Sequence, residues 1–129
     1  MNKILVEVSV GELLDKISIL EIKKEKIKNV DKLKFINDEY NILKEQFKKN
    51  IKADDKLNKL FETLKDINKR LWTIEDQKRM CEKKSDFGDN FIKLSRDIHF
   101  LNDERANTKL KINDYTGSKI KEIKEYVSY

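Results

Sequence analysis

Three observations predict an all-α protein built from long amphipathic helices. The 129-residue chain contains no proline and only three glycines, so little interrupts a helix once it starts. Apolar residues recur at three- and four-residue spacing over long stretches, the period of one helix face. Charged residues make up 41% of the chain and hydrophobic ones 38%. An ordinary soluble domain carries roughly 25% charge, so only a narrow stripe is left to bury on each helix.

The elements follow in order. Ile4, Val6 and Val8 alternate with Leu5 and Glu7, suggesting a short extended segment. Ser9 and Glu12 then form an S-x-x-E capping box, with Val8 and Leu13 at the positions of a hydrophobic staple. The first helix starts there, with Leu13, Ile17, Leu20 and Ile27 as its stripe and Lys24 on the same seam. "KNVDKL" breaks the pattern, with Asn29 expected to close one helix and Asp31 to cap the next, though a continuous helix with a phase shift would read nearly the same. The second stripe is Leu33, Ile36, Tyr40, Leu43 and Phe47.

After "KNIKADD" a third stripe runs through Leu57, Leu60, Leu64, Ile67, Leu71 and Ile74, then Lys78 and Cys81. A helix over about 55–84 would be roughly 45 Å long. "KKSDFGDN" supplies a turn, with Gly88 as punctuation. The fourth stripe is Phe87, Phe91, Leu94, Ile98 and Leu101, and its seam continues through Arg105 and Thr108 to Ile112. Gly117 suits a left-handed cap, and Ser118 is expected to start a last short helix through "KIKEIKEYVSY".

Helices with such narrow apolar faces are not stable singly. They are expected to pair in an antiparallel hairpin or bundle, as one domain over 1–129, and to form a homodimer. The strand-like termini would pair with each other or with the second copy.

The net charge of +5 raises nucleic acid as a partner, but of 29 basic residues only four are arginine, and 24 acids are interleaved with them. Lys, Asn and Ile have A/T-rich codons, so the lysines look like default surface choices rather than a basic footprint, which argues against a nucleic-acid partner. One cysteine, Cys81, excludes an internal disulfide and reads as core. "MNKILVEVSV" is a poor signal peptide and no apolar run reaches membrane-spanning length, so a cytoplasmic protein with no membrane partner is expected.

Chemistry points to one region. Lys24, Lys78 and Arg105 interrupt apolar seams, where a buried charge needs a partner or a ligand unless the seam emerges into solvent. In a chain that defaults to lysine, Arg70, Arg79, Arg96 and Arg105 mark places for a planar, bidentate donor. "LWTIEDQKRMCE" adds the only tryptophan, Trp72, with Glu75 and Asp76 beside Arg79. Pairing of the last two long helices about the turn near 86 would set residues 72–82 against 95–109, with Glu12, Asp15, Lys16 and Glu21 of the first helix facing them. Asn102, Asp103, Lys109 and Asn113 share this region, and Ala106 leaves room beside them. Such a cluster suits a small polar ligand, a sugar or phosphate, with Trp72 stacking and the arginines taking oxygens. The competing interpretation is an ion-pair network that fixes helix register. His99 has no second ligand at metal spacing, so no metal site is expected, and the sequence leaves any cofactor unknown.

In the order "VSVGELLDKISILEIKKEKI", "LWTIEDQKR", "FIKLSRDIHFLNDERANTKLKIN", "GSKIKEIKEY", the chain resembles an uncharacterised family of small bacterial and phage-type proteins classed as a domain of unknown function. The likeness covers most of the chain outside roughly 29–65. It implies a neighbourhood of surface-polysaccharide and glycosyltransferase functions. It carries Glu12, Asp15, Lys16, Trp72, Glu75, Asp76, Arg79, Arg96, Asn102, Asp103, Arg105, Lys109 and Asn113 as a shared polar set. All-α nucleotide pyrophosphohydrolases and helical chorismate mutases look similar only in outline. The first need an E-E-x-x-E helix, and the second an arginine on the helix that here has only lysines.

The expected function is a non-enzymatic helical module binding a small polar or phosphorylated ligand, or a partner. The second expectation is an enzyme acting on a phosphorylated or sugar-nucleotide ligand, with Glu75, Asp76 or Asp103 as base or metal ligand.

Overall fold

The computed structural model describes all residues, Met1 to Tyr129, and contains four helices and no strand. They are α1 (Val10–Lys26), α2 (Val30–Asn50), α3 (Asp55–Lys83) and α4 (Asp89–Thr116). The break after α1 is real, and its cap differs from the expected one. Asn29, not Asp31, is the N-cap of α2, its side chain accepting from the Lys32 amide at 3.0 Å, and Ile27 closes α1. Asn29 sits one turn ahead of Lys32, where an Asx side chain reaches the amide three residues on. Asp54 caps α3 in the same way through Leu57 at 2.8 Å. Gly117, at φ 67°, ends α4 in the left-handed conformation that glycine adopts without a Cβ penalty. In the turn before α4 the left-handed residue is Ser85, at φ 53°, while Gly88 is the α4 N-cap.

α1 is the centre of the molecule and packs against each of the other three helices. It is therefore buried on more than the one face its 3-4 stripe suggested: Leu14 and Ile22 join Ile17 and Leu20 in the interior. Each such side chain contributes roughly 1.5–3 kcal/mol on burial. The backbone of α2 comes close to that of α1 alone, and no α2 residue is fully buried. Its half-buried Tyr40, Leu43 and Phe47 lie on the core formed by Leu14, Ile17, Leu57, Leu64 and Ile112. A second apolar cluster, Ile67, Leu71 and Leu101, joins α3 to α4, with Ile74 and Ile98 packed on it.

Of the two seam lysines, only Lys24 emerges into solvent. Lys24 is exposed, its Nζ 4.1 Å from the Tyr40 ring centroid, and the half-buried Lys78 stands 5.3 Å over Phe91. Val8 is 42% exposed, so the staple position does not seal the start of α1.

The expected terminal elements do not form. Residues 1–9 and 118–129 contain neither strand nor helix. Ser118 does not start a helix because its hydroxyl is committed elsewhere: it accepts from the Val10 amide at 3.2 Å and donates to the Ile120 carbonyl at 2.8 Å.

Candidate functional site

α1 starts against the end of α4, and three of its first-turn amides are capped by side chains. Val10 N–H goes to Ser118, Gly11 N–H to Asn113 Oδ1 at 2.7 Å, and Glu12 N–H to Ser9 at 3.0 Å. A helix end normally leaves these donors unpaired. Gly11 permits the close approach: a Cβ there would lie 2.6 Å from the Lys109 carbonyl oxygen. The Glu12 carboxylate is taken up by Lys109 at 2.7 Å, which ties the first turn of α1 to α4 a second time.

One turn further along α1, Asp15 enters the interior, its side chain only 2% exposed. Arg105 of α4 grips it with two hydrogen bonds, Nε to Oδ1 at 2.9 Å and Nη2 to Oδ2 at 2.5 Å. Asn68 of α3 donates to Asp15 Oδ1 at 2.9 Å and to Ser18 Oγ at 2.8 Å, and Ser18 donates to the Asp15 carbonyl at 2.8 Å. Asn68 lies one turn from Leu64 and from Leu71, and Arg105 one turn from Leu101. The network is therefore a polar layer between the two apolar clusters. No buried side-chain polar atom lacks a partner, as a low-dielectric interior requires. The Asp15 hydrogen bonds raise the Arg105 pKa above its ordinary value, against the opposing effect of burial. Burial also works against the Lys109 ammonium, but its bonds to Glu12 and Glu122 outweigh it and raise its pKa.

Outside this layer, α3 and α4 open into a cleft of ≈ 360 Å³. Trp72, Glu75, Asp76 and Arg79 line it from α3, Asn102 and Arg105 from α4, with Ile19 and Ile22 of α1 beneath. Trp72 is half-buried; Glu75, Asp76 and Arg79 are exposed and enter none of the ion pairs, although Arg105, Lys109 and Lys65 are all paired. A second recess of ≈ 240 Å³ shares Asn102 and Arg105, and is completed by Glu12, Ala106 and Lys109 with Glu122 and Lys124 of the C-terminal segment. A third gap of ≈ 270 Å³ between α1, α2 and α3 is lined by Leu14, Ile17, Phe47, Leu57 and Phe61, with Glu21, Lys44 and Glu62 among its polar residues.

The structure places Trp72, Glu75, Asp76, Arg79, Asn102 and Arg105 of the sequence-derived set on the cleft, Glu12 and Lys109 on the second recess, and Asp15 and Asn113 in the interior, bonded to Arg105 and to the Gly11 amide. It leaves three members out. Lys16 and Arg96 are exposed and line neither the cleft nor the second recess, and Asp103 accepts a hydrogen bond from Tyr129. Glu21 does not face this region, because Lys65 at 3.0 Å and the Tyr40 hydroxyl draw it to the opposite side of α1.

Four contributors escaped sequence reasoning. Asn68 carried a signal, an amide one turn from two seam leucines, and so did Gly11, a glycine inside a helix that costs stability without a packing reason. Ser18 and Glu122 carried none. His99 stacks among Phe100 and Tyr129, with centroids 4.8 and 5.4 Å away, and no three His, Cys, Asp or Glu side chains come together as a metal-holding group.

Residues 4–129 match the family of unknown function DUF6165. The chain belongs to that family. The match includes the 29–65 stretch that contributes nothing to the resemblance read from the sequence blocks, so α2 is part of the family pattern. No curated protein and no solved structure matches the chain. No helix is long and apolar enough to cross a membrane.

Proposed function

We propose that this DUF6165 member is a single-domain, cytoplasmic binding module, not an enzyme, and that it holds a small polyhydroxylated ligand in the cleft beside Trp72. The supporting observation is the contrast in pairing. Charges facing the interior are all satisfied, whereas Glu75, Asp76 and Arg79 face a cleft with a half-buried indole and no ion-pair partner. Sugar hydroxyls both donate and accept, so they suit a wall that offers carboxylates, a guanidinium and an amide. An indole gives the apolar face of a sugar ring a surface to stack on. A role in bacterial or phage surface-polysaccharide biosynthesis is part of this proposal and is supported by the resemblance alone. A homodimer is part of it too, supported by the exposed Ile4, Leu5, Val6, Ile123 and Val127 of the two terminal segments.

Trp72 fluorescence, titrated with a panel of hexoses, hexosamines and their 1-phosphates, tests the reading. Arg79→Lys should weaken the best binder at least about tenfold, because a lysine cannot present the planar fork. Lys83→Ala, on the same helix but outside the cleft, should leave it unchanged. Equal effects of the two substitutions, or no response to any of the sugars, would overturn the proposal.

A further inference from the structure

The C-terminal segment turns back along α4 after Gly117. Lys121 reaches Asp114 at 2.7 Å, Glu122 reaches Lys109 at 2.8 Å, and Tyr129 donates to Asp103. The segment carries no helix or strand, so these side chains rather than a backbone ladder hold it in place. In crossing, it places Glu122 and Lys124 in the second recess, directly against the cleft that contains Trp72.

The Lys109 side chain there is nine-tenths covered, and its ammonium is shared between two carboxylates. They are not equivalent. Glu12 belongs to the capped first turn of α1, whereas Glu122 is 43% exposed and arrives on the irregular segment. Arg105 commits two N–H groups to Asp15, and a guanidinium carries more donors than that. Asn102 adds an amide at the join between the two recesses. Ala106 keeps the floor open.

We propose that Lys109, Arg105 and Asn102 form an oxyanion half-site that Glu122 fills when no ligand is bound, and that a phosphate group displaces Glu122 and releases the C-terminal strap. Glu12 stays on Lys109 throughout, so the departure of Glu122 never leaves that ammonium without a counter-charge. A phosphate brings more charge than a carboxylate and more acceptor oxygens, enough to span Lys109 and the spare Arg105 donors. The inference deepens the proposed function by joining the half-site to the cleft, so that the ligand is a phosphorylated sugar. It rests on that reading only through the shared Asn102 and Arg105.

Calorimetric titration with inorganic phosphate at constant ionic strength, with acetate as the monovalent control, tests it in the full-length protein. Glu122→Gln removes the tethered competitor while Glu12 still pairs Lys109, and should tighten phosphate binding at least about fivefold. Acetate should bind more weakly to both proteins. In the wild type, phosphate should also accelerate tryptic cleavage at Lys119, Lys121 and Lys124. Equal phosphate affinity of the two proteins, no phosphate binding to either, or cleavage that phosphate leaves unchanged would each overturn the inference. Trp72→Ala, followed in the same calorimetric titration because it removes the only tryptophan, separates the two proposals: it should abolish hexose binding and leave phosphate binding to Glu122→Gln intact.

Discussion

Arg79 on α3 and Arg105 on α4 line the same cleft, yet they live in different electrostatic worlds. Arg105 is 31% exposed and held by both oxygens of an interior aspartate, with an asparagine from a third helix completing the layer. Arg79 is exposed, beside two carboxylates, and makes no ion pair. The difference lies in what stands opposite. α1 carries Asp15 into the interior at the level of Arg105, while at the level of Arg79 the α1 residues lining the cleft are Ile19 and Ile22. A charge in the interior must be paired, because desolvation costs several kcal/mol; a charge at the mouth costs almost nothing to leave unpaired. One half of the region thus specifies how α1 seats on α3 and α4. The other half, Glu75, Asp76 and Arg79, has no ion-pair partner within the chain.

The comparison breaks most sharply at Asp15. Asp15→Ala leaves the Arg105 guanidinium and the Asn68 amide facing an empty space, and should cost about 3 kcal/mol in urea unfolding. The apolar pair Asp15→Leu with Arg105→Met should recover most of that loss, since a buried ion pair can be replaced by well-packed side chains of similar volume. If the double variant is no more stable than the single, the layer does more than pair its own charges.

Gly11→Ala probes the seating itself. Alanine is the better helix former by about 1 kcal/mol, but its Cβ would meet the Lys109 carbonyl oxygen at 2.6 Å and Asn113 Oδ1 at 2.9 Å. Backbone at one end and a committed amide at the other leave little to give, so the clash should win with a net loss of roughly 1–3 kcal/mol in the same measurement. Arg79→Lys, by contrast, should unfold with the wild type to within about 0.5 kcal/mol while losing the sugar response.

The smallest effect concerns pH. The Lys109 hydrogen bond holds the Glu122 carboxyl below the ordinary glutamate range. A depressed carboxyl contributes stability that is fully present above the unfolded value and is lost as pH falls through the folded one. The strap contact should therefore persist at neutral pH and weaken only below about 4.5. NMR titration of the Glu122 side-chain carboxyl checks this; a midpoint at or above the unfolded value would show that Lys109 does not hold it.

Much of the architecture was legible because it depends on near neighbours. Ser9 with Glu12 marked the start of α1, and the hydroxyl does accept from the Glu12 amide. The α3 stripe fitted a helix over about 55–84, against Asp55–Lys83 observed, and Gly117 closes α4. The second stripe, Leu33, Ile36, Tyr40, Leu43 and Phe47, is the half-buried face of α2. The failures were at competing caps and at the tail. Asn29 and Asp31 are both good N-caps, and only the backbone turn after Ile27 chose between them. "KIKEIKEYVSY" has helix-forming composition, but Ser118 is drawn to α1 and Glu122 to Lys109, and those distant bonds displace the local preference.

The sequence by itself determined that the chain forms long helices, where α1 starts, how far α3 runs and where α4 ends. These depend on residues within one or two turns of each other, where backbone geometry sets the distances. Only the tertiary structure decided that Arg105 is a structural clamp and that Arg79 is free. Asp15 lies 90 positions from Arg105, and whether the two meet depends on how α1 seats among its three neighbours. That seating is set by the sum of many side-chain contacts and by Gly11 at the crossing, which no local spacing encodes.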